Sequence, residues 1–222
     1  MNRYHATLRT AAAVAVAATS LAASPVGAQQ PAWGDDQDRM ELTSSAFTDG
    51  QPLPAANIYN AVVPGTTWNV CSATGAIGGD QSPPLAWKHV PRGTQSFVIV
   101  LYDRTAGFTH WAMYNIAPGT RALPQGAGAA GSPYGTLLTN DFPDPNYDGP
   151  CPPFGLAPEV HHYVFTLYAL DTELDLGVPA NFQPYAYSGA LYQGLIKAAG
   201  GGHILASAEL VAHNSGSVPP SN

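Results

Sequence analysis

The chain has 222 residues, of which 23 are Gly and 21 Pro, and only 10% are charged. Gly and Pro are scattered among apolar runs, with no period and no room for sustained heptads, which excludes collagen and a long coiled coil. A hydrophobic share of 45% excludes a disordered acidic tail, and a formal net charge of −7 disfavours any dense Lys/Arg face for nucleic acid or an anionic membrane.

The first 28 residues read as an export signal. Arg3 and Arg9 give a basic start, Ala11 to Ala23 an apolar run, and Val26-Gly27-Ala28 the small residues before a cut after Ala28. The apolar run is short for a membrane span, which needs about 20 residues, and no later segment is long and apolar enough to cross a bilayer. Cleavage removes two arginines and leaves six basic against fifteen acidic side chains, a net charge of −9. The expected location is therefore the periplasm or the outside of the cell. Residues 29–40 read as a loose lead-in, 41–214 as one domain and 215–222 as a tail.

From Met40 the pattern is that of a sheet protein. Leu85–Trp87 is a weak strand candidate, Ser96 to Asp103 (SFVIVLYD) a strong one, Thr109 to Ile116 (THWAMYNI) and Tyr163 to Leu170 (YVFTLYAL) two more, and Ile204–Val211 a last weak one. Long Gly/Pro-rich loops lie between them, notably 126–135 and 141–155, and such loops on a strand scaffold are where sites tend to lie. One helix is predicted from about Tyr185 to Ala199, with Leu191, Leu195 and Ala198 on one face and Gly200-Gly201-Gly202 as its stop. The class that follows is mostly β, an antiparallel sandwich with one helix late in the chain and long loops.

Cys71 and Cys151 are the only cysteines. In an exported chain they are candidates for a disulfide, whose closed loop is long enough for roughly 4 kcal/mol in the chain-entropy model; two buried free thiols are the other reading.

Histidine carries the functional signal. Asp103 ends one strand, His110 opens the next, and His161 and His162 open a third directly after the Pro/Gly-rich loop. If these strands are neighbours, a His–His–Asp–Tyr cluster forms at one rim of the sheet. The N–H groups of His110 and His161, the Tyr163 hydroxyl and a loop N–H near Cys151 could then hold a small oxyanion. Asp103 would repel an anion and is better placed to accept from a histidine ring. On this reading, affinity rises as pH falls through the free-histidine range near 6.5. His203 is read as a hydrogen-bonded structural residue, His89 and His213 as solvated loop residues, and Trp87 and Trp111 as core.

Several stretches in order carry a family resemblance: Ser82-Pro83-Pro84-Leu85-Ala86-Trp87, the strand ending at Asp103, His110-Trp111, Gly149-Pro150-Cys151-Pro152-Pro153, and His161-His162-Tyr163-Val164-Phe165. Together they resemble the phosphatidylethanolamine-binding protein family in its bacterial Raf-kinase-inhibitor-like branch, from about Ser82 to Val211. The resemblance implies a β-sandwich with an anion pocket at one end, lined by Asp103, His110, Cys151, Pro152, Pro153, His161 and Tyr163. Arg104, Thr105 and His162 depart from the family's motifs.

The leading function is thus an exported protein binding phosphate, a phosphorylated small molecule or a phospholipid head group, with a protein surface as a further partner and no cofactor. The alternative is a hydrolase using the same pocket, with Cys151 as nucleophile activated by His161. A metal held by Asp103, His110 and His161 is a third reading, supported by no HExxH helix.

Overall fold

The computed structural model describes residues 39–152, 160–176 and 186–219, with side chains from Leu191 onward in the last stretch. The expected signal, most of the lead-in, Pro153 and the end of the tail lie outside the described residues.

Among the described residues the nine strands are β1 (Glu41–Ser44), β2 (Gln51–Pro52), β3 (Leu85–Lys88), β4 (Ser96–Asp103), β5 (Phe108–Ile116), β6 (Ala122–Leu123), β7 (Thr136–Leu137), β8 (His161–Leu170) and β9 (Ile204–Asn214), with helix α1 (Ala186–Gly200) before β9. They form a three-stranded sheet, β1-β3-β6, and a six-stranded sheet, β2-β9-β8-β4-β5-β7. All pairs are antiparallel except β2 with β9. The mostly β sandwich expected from the sequence is the fold observed.

β4 is central to the large sheet, and its run of Phe, Val, Ile and Leu is covered on both faces. One face carries Phe97, Ile99 and Leu101, which join Tyr163, Phe165 and Leu167 of β8 against Leu42, Leu85, Trp87 and Leu123 of the small sheet. The other carries Val98 and Val100, which meet Leu191, Leu195 and Ala198 of α1. Full burial of one such side chain stabilises by about 1.5–3 kcal/mol, so the two apolar layers hold the ends of β4, β5 and β8 rigidly together.

α1 runs one residue further than expected, through Gly200. Gly202 takes φ +75°, its N–H donates to the Ala199 carbonyl (3.1 Å), and the His203 N–H donates to Ala198 (2.8 Å). This left-handed stop needs a residue without a Cβ. The His203 ring pairs with Asp171 (2.8 Å), in keeping with a structural role. One expectation is corrected, for His213, and one is met, for His161. β9 continues past Val211 to Asn214, so His213 lies in a strand, not a loop, and its Nδ1 bonds the Gly50 carbonyl (3.0 Å). β8 starts at His161, so His161 faces inward and His162 outward by strand alternation.

Candidate functional site

Strand pairing sets Asp103 directly opposite Tyr163, with His161 two residues before Tyr163 on the same face. The Asp103 carboxylate is fully engaged. Oδ2 accepts from Nδ1 of His161 (2.6 Å), and Oδ1 accepts from the backbone N–H groups of Thr105 (2.9 Å) and Ala106 (3.0 Å). Asp103 therefore aims at His161 and not outward, as its charge required. With its Nδ1 proton spent on the carboxylate, His161 turns Nε2 to the far side of the ring.

His110 reaches the cluster through a break in strand alternation. In the β4–β5 pair Leu101 faces Trp111 and Tyr102 faces Thr109, so His110 is the extra residue of a β-bulge. Thr109 points to the helix side, where its hydroxyl meets that of Tyr192 (3.1 Å), and Trp111 points into the core between the sheets. His110 shares the Trp111 side: its ring meets Tyr163 edge-on at 5.3 Å between centroids. Regular alternation would have sent His110 to the opposite face.

Residues that the sequence did not single out hold the His110 ring and its neighbours in place. His110 Nδ1 lies 3.0 Å from the Asp148 carbonyl, which can only accept, so Nδ1 carries the proton and Nε2 is a lone pair. The two N–H protons of the Asn140 amide are shared among three acceptors: the His110 carbonyl (3.0 Å), the Asn146 carbonyl (2.9 Å) and Asp148 Oδ2 (2.5 Å). Asp80, at φ +50°, accepts from the Gly149 N–H (2.7 Å). Of the loop N–H groups near Cys151, this one is therefore already taken. Gly149 has to be glycine, since a Cβ there would lie 2.5 Å from the Tyr59 nitrogen. The signal in the sequence was the Asx-rich run Asn140–Gly149, because Asn and Asp side chains readily bond nearby backbone.

The cluster is deep. Asp103, His110, His161 and Tyr163 are 2%, 3%, 4% and 0% exposed. Half-buried Phe108 and Phe142 lean on the His110 ring at 4.9 and 5.5 Å. Burial lowers the His110 pKa to about 4 and outweighs the opposing Asp148 carbonyl and Asp103 charge. His110 is consequently neutral through the range near 6.5 in which it was expected to charge. Burial, reinforced by Asp103, holds the Tyr163 phenol well above its usual range, so it stays a hydroxyl. That hydroxyl forms no well-aligned hydrogen bond, although the Asp103 side chain lies close enough to help raise its pKa.

Arg104, Thr105 and His162 meet where β4 ends and β8 begins. The His162 N–H donates to the Thr105 hydroxyl (3.0 Å) and the Arg104 N–H to the His162 carbonyl (3.1 Å), closing the turn after β4 onto β8. Cys71 and Cys151 form a disulfide. This corrects the idea of a Cys151 nucleophile, because a bridged sulfur has no thiolate to offer. Asn214, opposite His161 in the β8–β9 pair, donates to the Cys71 carbonyl (2.8 Å), so the bridge is stitched to the strand beside the cluster. Pro152 is buried where the described chain stops.

A family model described as phosphatidylethanolamine-binding protein matches residues 43–215. The chain is 40% identical to YbhB of Escherichia coli over 141 residues, covering 60% of this chain and 80% of YbhB. It is 31% identical over 163 residues to LppC of Mycobacterium tuberculosis, whose name describes a lipoprotein, covering 72% of this chain and 66% of LppC. Escherichia coli YbcL, a solved structure described as a member of the mammalian PEBP family, matches with a TM-score of 0.60 and 29% identity over 79% of this chain and 98% of YbcL.

Proposed function

Because the chain belongs to the phosphatidylethanolamine-binding protein family, we propose that it is an exported binding protein whose His110, His161 and Tyr163 close on a small phosphorylated oxyanion. One observation carries this reading: a buried tyrosine hydroxyl that makes no well-aligned hydrogen bond, with only the already engaged Asp103 carboxylate close to it, sits beside two imidazoles whose Nδ1 atoms are both committed elsewhere. An unsatisfied buried hydroxyl costs about 1–3 kcal/mol, and a ligand that accepts from it is the natural reason to keep it.

The hydrogen-bond inventory specifies the protonation of that ligand. In their neutral forms His110 and His161 turn lone pairs to the site, and only Tyr163 donates. A dianionic phosphate offers acceptors alone and is poorly matched. A monoprotonated phosphoryl group can accept from Tyr163 while its own P–OH donates to an imidazole; equally, a proton on an imidazole converts an acceptor into a charged donor. Either way one proton enters with the ligand. Phosphate, a phosphorylated metabolite, a phospholipid head group or a phosphorylated residue of a partner protein presents the same group.

Export rests on three supports: the signal-like first 28 residues, a disulfide of the kind that persists in oxidising compartments, and the likeness to LppC. A cut after Ala28 predicts a secreted form that starts at Gln29.

The test is calorimetric titration with O-phosphoethanolamine and with inorganic phosphate from pH 8 to 5.5, in buffers free of phosphate. Above the second phosphoryl pKa near 6, affinity should rise about tenfold per unit fall in pH. Y163F should weaken binding by about tenfold at every pH. A flat profile would remove the histidines from the receptor, and unaltered binding by Y163F would remove the tyrosine.

A further inference from the structure

We propose that the opposite face of the large sheet carries a second binding site, a tyrosine-walled groove that takes a short peptide with free termini. The groove is a hollow of about 480 Å³ between α1 and β9. Its floor is Val100 of β4 with Val164 and Thr166 of β8. These residues alternate with the Leu101, Tyr163 and Phe165 of the inner core, so the groove and the histidine cluster lie on opposite faces of the same strands.

Three tyrosines form the walls. Tyr102 and Tyr192 meet edge to face at 6.2 Å, and Tyr168 stands on the other side of Thr166 from Val164 along β8. Burial raises the pKa of Tyr168, with the charge of Glu209 adding to it, and pushes that of Tyr192 up to about 12. Both are thus neutral phenols whose hydroxyls already meet Thr166 and Thr109, which leaves their ring faces for an apolar side chain or an ammonium.

The charges at the two ends of the hollow select the ligand. Arg104 lies at one end, where the chain leaves β4, and Glu209 at the other, opposite Thr166 in the β8–β9 pair. Both are exposed, and neither forms an ion pair among the described residues. In the register of the sheet they stand four residues apart along the strands, about 13 Å at roughly 3.3 Å per residue, and two strands apart across them, about 10 Å. Side chains that reach inward from both ends leave a span close to the length of an extended tripeptide, about 10 Å. A free carboxylate on the Arg104 guanidinium and a free ammonium between Glu209 and the Tyr168 ring place a central apolar side chain over the two valines.

The test uses Ala-Leu-Ala with free termini, followed by methyl and amide NMR on the mature protein. Saturable shifts at Val100 and Val164 are expected. Acetylating the amine or amidating the carboxylate should each weaken binding about tenfold. R104Q should abolish the distinction between free and amidated carboxyl ends while keeping that between free and acetylated amines, and E209Q should do the reverse. Phosphoethanolamine binding at the histidine cluster should be unchanged in both variants, which separates this site from the first. Equal binding of free and capped peptides, no saturable shift at millimolar peptide, or stronger shifts of the same methyls by maltotriose would each overturn the proposal.

Discussion

Replacing His110 by Asn gives a direct measure of how strongly the cluster resists charge. Asn can keep a donor near the position of Nδ1, and so the bond to the Asp148 carbonyl, while removing the titration. In the folded protein the His110 pKa lies at about 4, against 6.5 in the unfolded chain. Between these values the unfolded chain binds the proton and the folded one does not. The stability due to the neutral ring is therefore fully present above pH 6.5 and is lost as pH falls to 4. A difference of about 2.5 units at 1.36 kcal/mol each amounts to about 3 kcal/mol. At pH 7.5, H110N should be less stable by about 2–4 kcal/mol, from lost contacts with Phe108, Phe142 and Tyr163. The gap should shrink by about 3 kcal/mol at pH 4. Asp148 moves the other way: burial raises its pKa to about 6, so protonation in acid favours the folded state. It is present in both proteins and drops out of their difference. Urea melts followed by tryptophan fluorescence, in phosphate-free buffers at pH 7.5, 6, 5 and 4, supply the measurement. A gap constant to within about 0.5 kcal/mol would mean that the ring protonates freely, and the reasoning from burial would be wrong.

Y163F should leave stability unchanged or raise it by about 1 kcal/mol, since it removes a buried hydroxyl that makes no well-aligned hydrogen bond, even as it weakens the proposed phosphoryl binding; a large fall in the urea midpoint would show that its contact with Asp103 is a full hydrogen bond. G149A forces a Cβ against the Tyr59 backbone and should cost about 1–3 kcal/mol while displacing the carbonyl that orients His110, so phosphoethanolamine affinity should drop as well; a crystal structure with the loop unmoved would contradict this. Reduction of Cys71–Cys151, or a double Ser variant, should cost roughly 4 kcal/mol for a loop that spans 80 residues, measured by thermal melts with and without reductant. D103N should lose about 1.5–3 kcal/mol of stability with the charge-assisted bond to His161, and an unchanged melting midpoint would show that the pair contributes nothing net.

The strands were legible because β4 and β8 are covered on both faces and so read as unbroken apolar runs. Asp103, His161 and Tyr163 followed from their places at the strand ends, where antiparallel pairing brings them together without further information. The short strands β2, β6 and β7 were not legible. Two residues give no period, and each forms only where a long neighbour supplies a partner edge. His110 was identified for its chemistry, but its direction depends on a bulge that the run THWAMYNI does not announce. Its protonation was misjudged because the sequence gives the residue type and not the depth. The roles of Asn140 and Asp148 depend on a loop folding back across 30 to 38 positions of chain, a long-range closure no local pattern encodes.

The bulge at His110 also bears on how such a site could arise or vanish. Thr109 and Trp111 would share a face in a regular strand, yet here they serve different compartments, one beside the helix and one between the sheets. A single additional backbone unit therefore decides which of two chambers receives the imidazole, while the pairing of Val100 with Ala112 and of Ile99 with Met113 further along is untouched. Gain or loss of one codon in this hairpin would assemble or dismantle the cluster proposed as a receptor in one step, with every one of its side chains still present in the sequence.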